Sequence, residues 1–452
     1  MSDKKLLIAT YYWPPSGGPA VQRWLSLTAE LSKLGWKIWL LTVDEKYATY
    51  QAEDHTLVER VHPNITVIKT KTIEPFGFYK LLFGKKSIPA PGFSNESNPS
   101  MLKRISRFIR GNLFIPDPRK YWRSFGEKAA EKIIRENGIS LIITAGPPHS
   151  THFIGKSLKK KLNIHWICDF HDLWTDVIYY DLLYHLPVVK KIDQRLEADI
   201  LTSCNRIITV GEKYQHKLLS KSQSLSPAKF HIARIGYDDH INEVKPTSPS
   251  NTFIISYIGS IADYYQPEIF IRCYAKLIRD FPTLKFLLRF VGTISPAILH
   301  LFKESKVEDY IELTGYVQHA KAVEYLKQST VLLLINPVTK DESMVIPGKV
   351  YEYLAARKPI INITKLNSET AQLISECNAG KTFERTQDEE LYAFLKTLVT
   401  NWQQNGKVDH QADEEKIKTF SRSQIAAEMS EMLLKEIKAS TRTYSNPPAS
   451  DQ

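Results

Sequence analysis

Short apolar runs and longer stretches with helical spacing alternate along almost the whole chain. Leu6–Thr10 is apolar, and a Pro/Gly-rich loop follows it. From Ala20 to Leu34 the apolar positions recur as on one face of a helix, and Gly35 stands where a helix C-cap belongs. Ile38–Val43 and Ile65–Lys69 predict two more strands. Further on, Glu127–Glu136 predicts a helix, Leu141–Thr144 a strand, Thr151–Leu162 a helix and His165–Cys168 a strand. Ile192–Cys204 then predicts a helix, and Arg206–Val210 and Phe230–Ile235 predict strands.

Around 243–252 (EVKPTSPSNT) the chain turns polar and rich in Pro and Ser, as linkers do. A second alternating series follows. Its strands are expected at Phe253–Ile258, Leu284–Val291, Tyr310–Leu313, Val331–Ile335 and Pro359–Ile363. Its helices are expected at Pro267–Asp280, Ala297–Glu304, Lys321–Gln328 and Lys349–Arg357. Strands alternating with helices imply parallel, doubly wound sheets. The fold class is therefore α/β, with two Rossmann-like domains of similar size at 1–245 and 250–420. A helix at 421–437 is expected to pack back on the first domain, and the polar tail 438–452 to be disordered. Ligands of such sheets sit at the carboxyl ends of the strands, so the active site is expected in a cleft that the two domains face.

Composition narrows the function. The chain has 452 residues, 43% of them hydrophobic, with a formal net charge of +11. That is too apolar for global disorder. The longest apolar runs fall far short of the ~18 residues of a membrane span, and no signal peptide is visible. Four cysteines without a C-x-x-C pair or metal-ligand spacing fit a reduced, cytosolic protein. The charge is concentrated. Between Phe76 and Arg123 stand ten basic and two acidic residues, a surplus of eight out of the total of eleven. Within this stretch Met101, Leu102, Ile105, Phe108, Ile109 and Leu113 fall on one helical arc. Lys103, Arg104, Arg107 and Arg110 fall on the opposite one. An apolar face backed by a cationic face suits a helix lying in an anionic lipid interface. It equally suits a surface helix that packs on its own domain. Phe76, Phe78, Tyr79, Leu81, Leu82 and Phe83, interleaved with lysines, favour the membrane. No nucleic-acid-binding signature accompanies the patch.

Five loops at expected strand ends carry the candidate chemistry. Tyr11–Pro19 (YYWPPSGGP) puts paired glycines, Gly17 and Gly18, between a strand and a helix, where backbone amides can approach an anion. It is not G-x-G-x-x-G, so a standard dinucleotide site is not expected. Gly146–Ser150 (GPPHS) and Asp169–Trp174 (DFHDLW) each put a histidine, His149 and His171, at a strand's carboxyl end. One such histidine is more often structural; two point to polar contact with a substrate. Gly259-Ser260 ends the first strand of the second domain. Finally, Glu342–Ile361 (ESMVIPGKVYEYLAARKPII) opens a helix at Pro347-Gly348. Its amides suit a diphosphate, Lys349 adds a point charge, and Glu352 lies one turn in, where a carboxylate can accept from ribose hydroxyls. There is no Asp-x-Asp, and His149 with His152 lacks the partners of a metal site. No metal is expected.

These motifs in this order resemble the family-4-like retaining glycosyltransferases of the GT-B fold, and most closely their bacterial surface-polysaccharide branch. The segments that carry the resemblance are YYWPPSGGPAVQRW, DFHDLW and PGKVYEYLAARKPII, and it runs from Leu6 to about Ile437. The resemblance implies transfer of a sugar, with retention and without a metal or cofactor, from a UDP- or GDP-type nucleotide sugar to a lipid-linked or glycan acceptor. The main electrostatic task would be to stabilise the departing diphosphate. It implies catalytic roles for His149, His171 and Asp172. It implies donor contacts from Gly17, Gly18, Gly259, Ser260, Ser343, Gly348, Lys349 and Glu352. Lys103, Arg104, Arg107, Phe108 and Arg110 would meet the membrane, making the enzyme cytoplasmic and peripheral on the inner face, with no nucleic-acid partner. The chain departs from the family at two points. Met344 stands where a glutamate is usual, and Ser260-Ile261-Ala262-Asp263 lacks the usual basic pair, a charge that Lys349 could supply. A nucleotide-sugar epimerase on the same fold, or a degenerate protein that binds a glycan or a partner, are the alternatives.

Overall fold

The computed structural model describes residues 4–50, 52–74, 100–177, 179–244, 251–408 and 410–445. The aromatic and basic flank expected at 76–99 and linker positions 245–250 lie outside them. The chain divides into two compact units. One holds Met1–Arg234 together with Arg422–Gln452, and the other holds Ile235–Ser421.

The first unit is built on a seven-stranded sheet. Its strands are β1 (Lys5–Thr10), β2 (Lys37–Val43), β3 (Ile65–Thr70), β4 (Leu141–Gly146), β5 (His165–Phe170), β6 (Arg206–Thr209) and β7 (Phe230–Ile232). They lie in the order β3-β2-β1-β4-β5-β6-β7, every pair parallel. The second unit holds a six-stranded parallel sheet of β8 (Thr252–Ile258), β9 (Lys285–Val291), β10 (Ile311–Gly315), β11 (Val331–Ile335), β12 (Ile360–Ile363) and β13 (Gly380–Phe383). Its order is β10-β9-β8-β11-β12-β13. Central strands covered on both faces must be apolar throughout, and β11, all of it buried, reads Val-Leu-Leu-Leu-Ile for that reason.

Helices of eight residues or more are numbered in chain order. They are α1 (Pro19–Lys33), α2 (Met101–Leu113), α3 (Trp122–Asn137), α4 (His152–Leu162), α5 (Pro187–Ser203), α6 (Glu212–Leu219), α7 (Glu268–Asp280), α8 (Pro296–Glu304), α9 (His319–Gln328), α10 (Lys349–Ala356), α11 (Glu369–Glu376), α12 (Asp388–Asn405) and α13 (Arg422–Ser445). The apolar spacing does not disclose β13, α6, α11 or α12. In β13 only Phe383 is buried, so this edge strand carries no apolar run.

The last helix belongs to the first unit. Ile425, Met429 and Leu433 of α13 share a core with Val21, Trp24 and Leu25 of α1. Trp36 Nε1 donates to Ser430 Oγ at 2.8 Å, and Arg206 Nε donates to Glu436 Oε1 at 2.5 Å. The helix continues past Ile437 to Ser445 instead of giving way to a disordered tail at 438, since no glycine or proline interrupts it before Pro447.

Candidate active site

In the first sheet β1, β4 and β5 are neighbours, with Thr10 paired to Ala145 and Ala145 to Asp169. All three are parallel, so their three motif loops leave the sheet side by side. Around these loops lies a cavity of about 380 Å³. Gly17, Gly18, His149 and Asp172 all line it, together with two arginines, Arg110 and Arg119. Gly18 has φ +115°, which a residue with a side chain rarely adopts, so this glycine is set by the turn into α1.

His149 is 8% exposed. Its ring stacks on Trp174 at 5.1 Å and 3°, and on Phe170 at 5.4 Å and 25°. Burial, with His171 nearby, pushes its pKa down to about 3. It is therefore a neutral hydrogen-bonding group at physiological pH, and its Nδ1 has no partner among the described residues. The loop that carries it is pinned by Asp117. This carboxylate accepts from Ser150 N and Ser150 Oγ, both at 2.8 Å, and from Arg119 N at 2.9 Å. The stacking partner is held as well. Asp193 of α5 accepts from Trp174 Nε1 at 3.3 Å and from Tyr180 OH at 2.9 Å.

His171 occupies a different position. It is not among the residues lining the cavity, and its Nδ1 lies 3.5 Å from Asp169 Oδ2. Asp169 is fully buried. It also accepts from Arg23 Nη1 and Trp24 Nε1, both at 2.9 Å. Burial alone would push the Asp169 carboxyl up, but Arg23, His171 and Trp24 hold it below the usual range. Arg23 and Trp24 end the YYWPPSGGPAVQRW motif. The sequence alone does not mark them as site residues, because an arginine on a helix next to a tryptophan carries no chemical signature by itself.

The basic helix is oriented differently from a simple lipid-facing amphipath. The apolar residues of α2 face outward: Leu102 is 65% exposed and Ile105 46%. Arg107 is only 3% exposed and Arg110 lines the cavity, so these two cations point inward and do not form a surface for lipid headgroups. Lys103, Arg104 and Phe108 are exposed. The reason is Gly111. A Cβ there would stand 2.4 Å from the Leu183 carbonyl oxygen, so glycine lets this face of α2 press against the 180–183 turn. Asn112 clasps the same segment, donating to Tyr184 O at 3.2 Å and accepting from Leu186 N at 2.8 Å.

In the second unit β8 and β9 end side by side, with Ile258 paired to Val291. Gly259 (φ +125°) and Gly292 (φ +135°) follow. A Cβ on Gly292 would meet the Gly259 carbonyl at 2.6 Å, so the two loops touch backbone to backbone. A Cβ on Gly259 would lie 2.5 Å from Lys349 Nζ, which reaches this point from the first turn of α10. Lys349 Nζ also donates to Tyr257 OH at 2.9 Å and sits 4.1 Å from the centre of that ring. Burial lowers its pKa to about 7. Ser260 Oγ accepts from Thr293 Oγ1 at 2.8 Å. Gly348 is exposed, and a Cβ there would meet only an Ile235 methyl at 3.9 Å, leaving the helix start open. The structure thus brings Gly259, Ser260, Gly348 and Lys349 around the ends of β8 and α10. Glu352 lies one turn on and shares a 2.9 Å contact with His319 Nε2, a partner that no local pattern reveals. Ser343 Oγ turns to Asp341 Oδ1 at 2.7 Å. Glu342 is committed to the fold: buried, it accepts from Arg385 Nη1 at 2.7 Å and Thr364 Oγ1 at 2.9 Å.

Residues 252–401 match the family model of glycosyl transferases group 1. No curated protein matches the chain in sequence. Three solved structures share its fold over nearly their whole length. Sucrose-phosphate synthase from Thermosynechococcus elongatus is 14% identical, with TM-score 0.61, covering 96% of this chain and 99% of its own. Alr3699/HepE from Anabaena, in complex with UDP, is 12% identical, with TM-score 0.63 and coverage of 95% and 100%. WaaG, a glycosyltransferase involved in lipopolysaccharide biosynthesis, is 11% identical, with TM-score 0.51 and coverage of 96% and 98%. The glycine contact and the half-buried lysine of the second unit thus lie within the segment that matches the group 1 glycosyl transferase model, and the chain has the GT-B fold of these structures.

Proposed function

We propose that this chain is a glycosyltransferase that moves a sugar, with retention and without a metal, from a UDP- or GDP-type donor to a lipid-linked or glycan acceptor in cell-surface glycan synthesis. The observation that carries the donor half is the position of Lys349 against Gly259. A half-buried ammonium, loop amides and a helix start meet there, the set of groups a departing diphosphate requires. Glu352 would take the ribose. The first unit would take the acceptor in the cavity beside His149 and Asp172, where a neutral imidazole and a carboxylate can orient sugar hydroxyls. The UDP in the HepE complex supports a nucleoside diphosphate, and the lipopolysaccharide role of WaaG supports a surface glycan. The outward apolar face of α2 supports peripheral attachment to the inner face of the cytoplasmic membrane.

The test is release of UDP or GDP from a panel of nucleotide sugars, with membrane extract as acceptor. Wild type should turn over one donor class. Lys349→Ala combined with Glu352→Ala should reduce kcat/KM by at least about a hundredfold, as expected for losing a charge-assisted contact and a hydrogen bond. Equal turnover by both proteins would overturn the donor assignment.

A further inference from the structure

We infer that Tyr257 is a positioning residue for the donor diphosphate: its hydroxyl ties the Lys349 ammonium to the Ser260 carbonyl and holds that charge over the Gly259 backbone. The inference deepens the donor reading proposed above and rests on it.

Two side chains on one face of α10 meet successive residues of β8. Lys349 and Tyr353 stand four positions apart, so they lie one above the other on the helix. Tyr353 OH accepts from Ile258 N at 2.7 Å and donates to Leu333 O at 3.3 Å, which fixes α10 on β8 and β11. Lys349 Nζ donates to Tyr257 OH at 2.9 Å, and Tyr257 OH donates to Ser260 O at 3.1 Å. The phenol thus bridges the helix to the loop that follows β8. It has little freedom of its own. The side chain is fully buried, its ring packs against Phe290 with centres 5.8 Å apart, and Tyr265 hydrogen-bonds its hydroxyl. A lysine has a long flexible stem and loses much entropy when it is immobilised. Tyr257 fixes the ammonium before any ligand arrives.

The charge of the partner matters as much as its place. Other cations in the interior of this chain are matched by carboxylates, Arg23 by Asp169 at 2.9 Å and Arg119 by Glu74 at 2.7 Å. A carboxylate in the place of the Tyr257 hydroxyl would cancel the charge of Lys349 and compete with a diphosphate. Burial keeps the Tyr257 phenol neutral, far above its ordinary pKa. It accepts from the ammonium and leaves the positive charge in place. Tyr264 and Tyr265, beside it, are raised by burial in the same way. Glu352 of the same helix also acts on the ammonium, and it shares its 2.9 Å contact with His319. From Gly259 to Asp263 the loop carries no basic residue. Its positive charge therefore comes from α10, and the direction of that charge from Tyr257.

Two measurements on the full chain test this. The first follows Lys349 in the free protein by NMR of lysine labelled at Cε, with Lys349→Met assigning the signal. Tyr257→Phe keeps the ring and removes the hydroxyl. It should lower the pH at which Lys349 loses its proton by about 1, the scale of one hydrogen bond to a charged group. The second is calorimetric titration with UDP. Tyr257→Phe should lose about tenfold in affinity at pH 8 and stay within about twofold of wild type at pH 5, where the lysine is protonated in both. In a Lys349→Met background, Tyr257→Phe should change UDP affinity no further. A tyrosine that only supports the fold would cost the same at every pH and in both backgrounds. An unmoved Lys349 midpoint, or equal losses at pH 5 and pH 8, overturns the inference. Failure of the donor reading is a separate result: wild type would then bind neither UDP nor GDP, whatever the Lys349 midpoint does.

Discussion

Arg23 Nη1 donates to Asp169 Oδ2 at 2.9 Å, tying the first motif of the chain to one that lies 146 residues later. Both side chains are buried, and the same arginine reaches the Ala233 carbonyl from Nη2 at 3.0 Å. Removing one member of such a pair leaves a charge in a dry interior. Arg23→Met and Asp169→Asn should each cost about 3–5 kcal/mol in urea unfolding. The double variant should cost less than the sum of the two. Additive losses would mean that the pair is not coupled. Because the native carboxyl of Asp169 lies below its ordinary value, its share of stability is present at neutral pH and is lost as pH falls through that lowered pKa.

With Lys349 at the donor diphosphate, as proposed, nucleotide binding should depend on pH. Burial brings its ammonium down to about 7 in the free protein, and a bound diphosphate would favour the charged form. The protonated lysine would be the binding form, so UDP affinity should be steady below about pH 6 and weaken as pH rises through 7. Between pH 6 and 8 the Kd should increase by about tenfold, the expectation for one proton linked to binding across this span. Lys349→Met should bind weakly at every pH with no such slope. A wild-type Kd that stays flat from pH 6 to 8 would contradict this assignment.

Asp193 sets a second dependence, with opposite sign. Burial raises its carboxyl to about 6, against the hydrogen bonds from Tyr180 and Trp174, and the neighbouring carboxylates Asp117 and Glu197 push the same way as burial. A native pKa above the unfolded one means that stability is greatest below about pH 4 and declines as pH rises through 6. Asp193→Asn removes the titration. The stability of wild type relative to this variant should therefore fall by up to about 2 kcal/mol between pH 4 and pH 7. Chemical unfolding at the two pH values measures it. Acceptor KM should rise in the variant while donor KM holds, since Trp174 and Tyr180 line the cavity.

Much of this architecture was legible before the structure, and the reason differs by element. Strands buried on both faces, such as β1 and β11, must be apolar in unbroken runs, and so they announce themselves. The loops that follow them carry glycines and prolines for steric reasons, which is why Gly18 and Gly259 stood out. Partners set by topology stayed hidden. Arg23 meets Asp169 across 146 positions, His319 meets Glu352 across 33, and Glu342 meets Arg385 across 43, and no local spacing encodes such meetings. Helix α2 teaches a further point. Its periodicity gives two faces correctly, but periodicity cannot say which face turns inward. Gly111, the one position on α2 that admits the Leu183 backbone, decides it.

That orientation changes the expected membrane contact. Leu102, Ile105 and Phe108 stand on the outer face of α2, with Lys103 and Arg104 exposed beside them, while Arg107 is buried. Insertion of apolar side chains at a lipid interface contributes in proportion to the area they bury, and exposed cations add about 1 kcal/mol each near an anionic surface. Changing Leu102, Ile105 and Phe108 together to Ser should lower binding to phosphatidylglycerol-containing vesicles by at least about tenfold, in low and high salt alike. Lys103→Gln with Arg104→Gln should weaken binding at low salt, and the difference from wild type should vanish near 1 M salt, where charges are screened within about 3 Å. Arg107→Gln should leave vesicle binding unchanged and lower the melting temperature, because its guanidinium faces the protein. Sedimentation with vesicles and thermal melting distinguish the three variants. If Arg107→Gln alone abolished vesicle binding without loss of stability, α2 would have to lie on the membrane by its other face.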